Sequence, residues 1–243
     1  MSSPDQREHR GSPLPLVGRA GDRPRVVLAV RDHLAPVRRL CRPGVDILEL
    51  RVDQFSRLDP AHVENVARQV GKEFGRPLLA TVRWQREGGG AGLADQARLE
   101  LFRTLLPHVA AVDVELRAPR SFQPIVREAQ DRHRAVVLSY HDFERTPSAR
   151  ELERLYRRAC DRGADIVKFA VQAHQAQDVW RLATFTWQHR ESAVVTMAMG
   201  RLGPLSRLIL PLFGSRWVYT SVAPAHGQIP LARLLEDLRF YFP

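Results

Sequence analysis

The chain has 243 residues, of which 44% are hydrophobic and 26% are charged, a balance typical of a globular protein with a sizeable core. Its formal net charge of +10 comes mainly from arginine, since Lys72 and Lys168 are the only lysines. We find no zinc-finger spacing, aromatic–basic RNA motif or long basic run, so we do not predict a nucleic-acid-binding protein. An anionic small substrate fits the charge equally well, and a composition bias on solvated helix faces is its simplest explanation.

No stretch of the sequence approaches the ~20 apolar residues that a bilayer-spanning helix needs. The N-terminus also lacks the apolar core of a signal peptide, so we expect a cytoplasmic protein without a membrane partner. Cys41 and Cys160 lack the paired spacing of a zinc site or a disulfide framework, and we expect them to be ordinary thiols.

Residues 1–23 carry Ser, Pro, Gly and charge without apolar periodicity, which predicts a disordered N-terminal tail. From residue 24 to residue 243, short β-rich runs alternate with amphipathic helical runs. The predicted strands are 26–30, 45–50, 77–82, 109–114, 135–139, 166–171, 193–197 and 217–220. The clearest predicted helices are 60–74, 94–106, 148–160, 176–189 and 229–241.

This alternation predicts an α/β protein with a single (β/α)8 TIM barrel as its catalytic domain. A doubly wound open sheet is the alternative. We disfavour it because no Gly-x-Gly-x-x-Gly turn follows the first predicted strand and because polar residues recur at nearly every strand end.

A lysine interrupts the sixth predicted strand, which reads Ala-Asp-Ile-Val-Lys-Phe-Ala-Val at 164–171. Burial of an ammonium group disfavours its charged form and favours the free amine, which attacks ketones and aldehydes to form Schiff bases. Lys168 is therefore a candidate nucleophile. The alternative is a lysine on the solvent side of a half-exposed strand.

Polar side chains lie at the ends of the other predicted strands. In a barrel these ends converge on the mouth where substrates bind. Each such residue alone is more often part of a structural hydrogen bond or salt bridge than of a catalytic site, whereas the whole set together with Lys168 predicts an active site. The set comprises Glu49, Arg51, Arg83, Glu87, Asp113, Glu115, His141 and, in the predicted loop 199–207, Arg207.

Six motifs occur in a fixed order along residues 24–243. They are Glu-x-Arg-x-Asp at 49–53, Thr-x-Arg-x-x-x-Glu-Gly-Gly at 81–89, Ser-x-His-Asp-Phe-x-x-Thr-Pro at 139–147, Ala-Asp-Ile-Val-Lys at 164–168, Met-Gly-x-x-Gly-x-x-Ser-Arg at 199–207 and Gly-Gln at 227–228. With these motifs the chain resembles the type I 3-dehydroquinate dehydratases, which are (β/α)8 barrels.

The resemblance implies a hydro-lyase that converts 3-dehydroquinate into 3-dehydroshikimate in the shikimate pathway, without a cofactor or a metal. Lys168 would form a Schiff base with the C3 ketone of the substrate. His141 would remove the C2 proton and then protonate the departing C1 hydroxyl, because a histidine suits both tasks near neutral pH. Glu87 would orient His141.

The resemblance also implies the contacts that bind the substrate. Arg207 would pair with its carboxylate, and a guanidinium fork suits that planar anion. Glu49, Arg51 and Arg83 would contact the ring hydroxyls and the ketone side, and Gln228 would belong to a lid over the ligand. Members of this family are often homodimers, so a homodimer is implied here as well.

The sequence departs from the family pattern in two places. Ala29 stands on the first strand where the family commonly has serine, and Pro224 stands where the lid motif has serine. The lid loop at 219–228 is also about two residues shorter than is usual in the family. These departures leave open a paralogue that acts on a related cyclic hydroxyketone.

Two further alternatives remain at the level of sequence. A class I aldolase would also need a lysine on the sixth strand, but a phosphorylated substrate would use a phosphate site after strands 7 and 8, where this sequence has Ser206 and Arg207. A non-catalytic binding or regulatory barrel is the other alternative, which the altered lid and the basic charge make plausible.

Overall fold

The computed structural model describes residues 14–19, 21–223 and 227–242, in which parallel strands alternate with helices. The strands are β1 (Arg25–Val30), β2 (Ile47–Arg51), β3 (Leu78–Thr81), β4 (Ala111–Glu115), β5 (Ala135–Asp142), β6 (Ile166–Gln172), β7 (Val194–Met199) and β8 (Trp217–Ser221). The helices are α1 (Leu14–Val17), α2 (Ala35–Leu40), α3 (Pro60–Phe74), α4 (Asp95–Leu105), α5 (Gln123–Asp131), α6 (Ala149–Asp161), α7 (Ala176–Gln188), α8 (Gly203–Leu212) and α9 (Leu231–Tyr241). Short 3-10 turns occur at Val52–Gln54, Gln85–Glu87 and Arg120–Phe122.

The strands form one parallel sheet that curls into a barrel. Its order runs from β7 through β6, β5, β4, β3, β2 and β1 to β8, so that β1 pairs with both β2 and β8. The two end strands meet at a seam, where the Arg216 amide donates to the Val194 carbonyl at 2.9 Å. The prediction of a (β/α)8 barrel is confirmed, and the open-sheet alternative is wrong.

The sheet is buried on both faces, as parallel sheets covered by helices are. In β6, Val167, Phe169 and Val171 pack in the core between the sheet and the helices. Ile166 and Ala170 pack inside the barrel. This alternation directs Lys168 into the barrel interior, because side chains two residues apart on a strand share a face.

Part of the predicted tail is ordered against the barrel. Leu16 and Val17 are buried, and the Trp217 indole donates to the Leu16 carbonyl at 2.7 Å. Both residues join the apolar cluster inside the barrel, at the end where the strands begin. Residues 14–17 form a short helix within the predicted tail, and the burial of Leu16 and Val17 holds this helix against the barrel. Residues 1–13 and 20 lie outside the described part of the chain.

Side-chain caps define the starts of two of the longer helices. The Asp59 carboxylate accepts from the His62 amide at 3.0 Å at the start of α3, and Ser148 and Glu151 form a reciprocal capping box at the start of α6. Within the described ranges, no helix combines the length and the apolar character needed to cross a bilayer.

Candidate active site

One cavity at the carboxyl ends of the strands contains the predicted site. Its volume is about 480 Å³. All eight residues that the sequence assigns to catalysis or substrate binding contribute to its wall: Glu49, Arg51, Arg83, Glu87, His141, Lys168, Arg207 and Gln228. The structure thus brings together residues that are up to 179 positions apart in sequence, from 49 to 228.

Lys168 lies at the base of this cavity with 3% of its surface exposed, so the solvent-side alternative is wrong. Its Nζ donates to Asp113 Oδ2 at 2.9 Å and lies 3.7 Å from Glu49 Oε1. The same nitrogen lies 4.2 Å from the centroid of the Tyr219 ring. Two carboxylates and an aromatic face therefore stabilise positive charge at this nitrogen.

Asp113 connects Lys168 to a second buried cation. Its Oδ2 lies 3.0 Å from the Arg83 guanidinium, and its Oδ1 accepts from the Ser139 hydroxyl at 2.6 Å. Burial alone would raise the pKa of Asp113, but Arg83 and Lys168 overcome this effect and hold the pKa well below its usual value. The carboxylate is therefore ionised throughout the neutral range.

His141 is held by Glu87 through two hydrogen bonds. Glu87 Oε2 accepts from the His141 amide at 2.9 Å and lies 3.1 Å from Nδ1 of the ring. Since a carboxylate only accepts, we assign the ring hydrogen to Nδ1, which leaves the lone pair of Nε2 free. Burial lowers the pKa of His141 well below its usual value, and the cations Arg83 and Lys168 lower it further. The ring is therefore neutral at pH 7 and can act as a base.

Arg207 is a buried cation without an acidic partner among the described residues. Its guanidinium donates to the carbonyls of Gly203 at 2.9 Å, Ala198 at 3.1 Å and Tyr219 at 3.3 Å. Burial lowers the pKa of Arg207 to about 10, so the group stays charged at neutral pH. An uncompensated buried charge is costly, and an anion in the cavity would neutralise it.

Glu49 and Arg51 line the side of the cavity formed by β2. Glu49 Oε1 accepts from the Thr81 hydroxyl at 2.9 Å. The Arg51 guanidinium makes a two-pronged contact with the Asp53 carboxylate, at 3.0 and 2.9 Å. Both side chains are therefore held in place before any ligand binds, and both still face the cavity.

Gly227, in the segment that the sequence predicts to be a lid, lies very close to the residues that follow β7. A side chain on Gly203 would place its Cβ 2.6 Å from the Gly227 carbonyl oxygen, so only glycine fits there. Gly227 itself has a φ of +87°, a conformation that favours glycine. Next to it, Gln228 Oε1 accepts from the Ser221 hydroxyl at 2.8 Å.

The structure describes one of the two residues that depart from the family pattern, Ala29, and does not describe the other, Pro224. Ala29 lines the cavity, so a methyl group stands at this point of the wall. Pro224 lies outside the described residues.

Three residues near the site received no role from the sequence. Asp113 belongs to the polar set at the strand ends, but its contact with Lys168 crosses the barrel interior and has no signature in the spacing of the chain. Tyr219 looks like an ordinary apolar strand residue until its ring is seen beside Lys168. Arg117 follows β4 in a loop, and its contact with Glu87 at 2.8 Å gives no periodic signal.

Barrels of this architecture bind their substrates at the carboxyl ends of the strands. At that end this barrel combines a buried amine, a neutral imidazole base and a guanidinium that has no counter-ion among the described residues, which defines an enzyme suited to an anionic carbonyl compound.

Comparison with known proteins identifies the family. A profile of the type I 3-dehydroquinase family matches residues 26–242. The chain therefore belongs to the type I 3-dehydroquinase family, and the prediction of a hydro-lyase of this family is confirmed.

Relatives match over nearly their whole length. The 3-dehydroquinate dehydratase of Methanococcoides burtonii is 34% identical over 222 residues, which cover 90% of this chain and 93% of that protein. The crystal structure of the type I enzyme from Clostridium difficile, with covalently modified comenic acid, has a TM-score of 0.86 at 26% identity and covers 92% of this chain and 94% of that one. The enzyme from Aquifex aeolicus has a TM-score of 0.81 at 31% identity, with coverages of 90% and 99%.

Proposed function

We propose that the protein dehydrates 3-dehydroquinate to 3-dehydroshikimate through a Schiff base on Lys168. The observation that carries this proposal is that Lys168, His141 and Arg207, which has no acidic partner in the described part of the chain, open onto the same cavity. The names of the relatives supply the substrate, and the covalently modified comenic acid in the Clostridium difficile enzyme fits a family whose site can form covalent adducts.

Binding begins with the substrate carboxylate. Arg207 offers a buried positive charge that only carbonyl oxygens now contact among the described residues, so a carboxylate gains a charge-assisted hydrogen bond there. Glu49 and Arg51 lie on the opposite side of the wall, where acceptors and donors for ring hydroxyls are needed. The substrate is thereby oriented with its ketone toward Lys168.

Lys168 then gives up one proton, which the carbonyl oxygen takes up as the free amine adds to C3 and forms a carbinolamine. Loss of the carbonyl oxygen as water leaves an iminium ion, whose positive charge replaces that of the ammonium group. Asp113 and Glu49 stabilise this charge as they stabilise the ammonium, because they keep the same positions around the nitrogen.

The iminium draws electrons away from C2 and acidifies its proton. Nε2 of His141 takes that proton, and the electron pair of the C–H bond moves into the iminium to give an enamine. The enamine returns the pair as the C1 hydroxyl leaves, and the imidazolium gives its proton to that hydroxyl. Water then hydrolyses the conjugated iminium, which releases 3-dehydroshikimate and restores Lys168, with a net loss of one water.

Borohydride reduction tests the covalent step. We expect reduction in the presence of 3-dehydroquinate to add a stable mass at Lys168, and the untrapped enzyme to form an ultraviolet-absorbing conjugated enone. Lys168→Met is the matched control, because Asp113 keeps Arg83 and Ser139 as partners in this variant. Product formation by Lys168→Met would refute the Schiff-base mechanism.

The same assay decides between substrates. Efficient turnover of another cyclic hydroxyketone, with none of 3-dehydroquinate, would replace this proposal by the paralogue that Ala29 and the lid suggest. Absence of both adduct and turnover would favour the non-catalytic barrel. A cytoplasmic location, a role in the shikimate pathway and a homodimer stay predictions.

A further inference from the structure

Arg117 contacts both Glu87 and His141. Its Nε donates to Glu87 Oε1 at 2.8 Å, and its Nη2 donates to the His141 carbonyl oxygen at 2.5 Å. The guanidinium also lies 4.7 Å from the centroid of the Tyr140 ring, which fixes its plane. One cation therefore bridges the carboxylate that holds the imidazole and the backbone that carries it.

Arg117 is not among the described residues that line the cavity, and 40% of its side chain is exposed on the outer side of Glu87. It therefore does not contribute to the wall of the cavity in which we expect the substrate to bind. Any effect that it has on the reaction acts through Glu87 and His141.

We propose that Arg117 is a positioning residue that keeps Glu87 ionised and thereby sets the lowest pH at which His141 works as a base. The kinetic consequence of this inference rests on the proposed function. The expected effect of Arg117 on the titration of His141 does not. The three groups form a chain in which the guanidinium holds the carboxylate and the carboxylate holds the imidazole.

The electrostatics of Glu87 make such a counter-charge necessary. Burial raises the pKa of Glu87, and the hydrogen bond and charge of Arg117 act against that rise together with the charge of Arg83. A protonated Glu87 would have one oxygen fewer to accept Nδ1–H, and the imidazole would lose the orientation that presents Nε2. Since Glu87 and His141 share a hydrogen bond, they take up their proton as a coupled pair.

The other charges around His141 stay in place when Arg117 is changed. Three cations lower the proton affinity of the imidazole and one carboxylate raises it. These groups are Arg51 at the end of β2, Arg83 after β3, Lys168 on β6 and the carboxylate Asp113 on β4. The Asp142 carboxylate and the Tyr140 hydroxyl also interact with Arg117, and neither is among the charges that act on His141. A shift on replacing Arg117 therefore reports its contact with Glu87.

The test compares neutral and charged replacements. In Arg117→Gln we expect the acidic limb of the pH profile of kcat to move up by about one pH unit, because loss of a neighbouring cation lets the pair hold its proton at higher pH. KM should change by less than about twofold, since the residue does not contact the substrate. Arg117→Lys should keep most of the parent profile. Arg117→Met is a second neutral variant to be used if Arg117→Gln does not fold.

Arg162→Gln is the matched control. The Arg162 guanidinium donates to the carbonyls of Leu116 at 2.6 Å and Ala118 at 3.4 Å, on either side of Arg117. Arg162 supports the same loop as Arg117, and its replacement by Gln removes the same charge from the protein. The described contacts of Arg162 do not include Glu87. We expect its acidic limb to coincide with that of the parent.

Two results would overturn the proposal: an unmoved acidic limb in both neutral variants of Arg117, or an equal shift in Arg162→Gln. The titration of the His141 ring by NMR in the substrate-free protein, assigned by its loss in His141→Ala, separates this proposal from the proposed function. An upward shift of that titration in Arg117→Gln supports the role of Arg117 even if 3-dehydroquinate is not the substrate. An unchanged titration refutes that role even if dehydration is observed.

Discussion

Buried charges around the cavity are neutralised by neighbours, with Arg207 as the exception among those described. Lys168 has two carboxylates near it, and Arg83 pairs with Asp113 at 3.0 Å and with Glu115 at 3.3 Å. Burial without such a partner is what lowers the pKa of Arg207. The site is therefore preorganised for a ligand that brings one negative charge to the Arg207 side of the cavity.

Replacement of Arg207 tests this charge. Arg207→Lys keeps a cation but removes the fork that contacts three carbonyls and that we propose to bind the substrate carboxylate. We therefore expect weaker binding by about 1.5–3 kcal/mol, a rise in KM of roughly ten- to hundredfold. Arg201→Lys, at an exposed position in the same segment, is the control and should leave KM unchanged. Equal KM values for Arg207→Lys and the parent would contradict the carboxylate contact.

Replacement of His141 tests the covalent step separately from proton transfer. His141→Ala should still form the imine with Lys168 but should lose kcat by roughly 10²–10⁴-fold, because the general base and acid is missing. Borohydride should therefore trap an adduct that accumulates without product. His108→Ala, whose ring contacts Glu64 at 3.2 Å away from the cavity, should behave like the parent. If no adduct forms in His141→Ala, the histidine acts earlier than proposed.

The low pKa of His141 also has a consequence for the parent enzyme. A base must be neutral to accept a proton, and a lowered pKa keeps it neutral at lower pH. We expect the acidic limb of kcat to lie below about pH 6.5, the ordinary value for histidine. A profile measured with stable folded protein checks this, and a limb above that value would contradict the assigned environment of the ring.

At the scale of elements, the sequence predicts the barrel because its strands are short, apolar and regularly spaced. It predicts the convergence of Glu49, His141 and Lys168 for the same reason, since the topology alone brings strand ends to one mouth. Contacts across the barrel interior, such as that between Lys168 and Asp113, depend on the length and direction of the side chains. The spacing of residues along the sequence does not predict them.

Element boundaries show where local signals mislead. The sequence predicts a loop at 199–207, but Arg207 lies in α8. This helix begins at Gly203 and has Pro204 in its first turn, where proline is tolerated. The second strand begins at Ile47 rather than at residue 45, because the Val45 amide turns back to the Arg42 carbonyl at 3.1 Å. The glycine and proline residues at the start of α8 therefore favour the prediction of a loop, and a turn makes β2 shorter than predicted.

The seam between β7 and β8 depends on a side chain as well as on backbone hydrogen bonds. The buried Ser215 hydroxyl accepts from the Thr196 amide at 3.0 Å and lies 3.2 Å from the Thr196 carbonyl oxygen. Ser215→Ala would leave that buried amide without its acceptor, and we expect the free energy of unfolding to fall by about 1–3 kcal/mol. Urea denaturation measures the change. Ser121→Ala, at an exposed position, is the control, and equal stability of both variants would show that the hydroxyl does not close the barrel.

At the scale of the whole molecule, the two ends of the barrel have different tasks. The carboxyl ends of the strands surround the charged cavity, whereas α1 covers the opposite end with apolar side chains. Stability and function are thereby separated along the barrel axis, so that a change at one end need not affect the other.

Leu16 allows this separation to be tested. It is 5% exposed in α1 and joins the interior cluster that contains Trp217. Leu16→Ala should lower the free energy of unfolding by about 2 kcal/mol, the low end of the range for buried leucines, because a cavity at the rim can relax or fill with water. Leu212→Ala is a control of identical chemistry at a position that is 49% exposed, and it should cost less than about 0.5 kcal/mol. We expect kcat/KM to stay within about twofold of the parent in both variants, since neither side chain approaches the cavity. Equal stability losses would mean that α1 does not seal the barrel, and a selective loss of kcat/KM in Leu16→Ala would mean that the two ends are coupled.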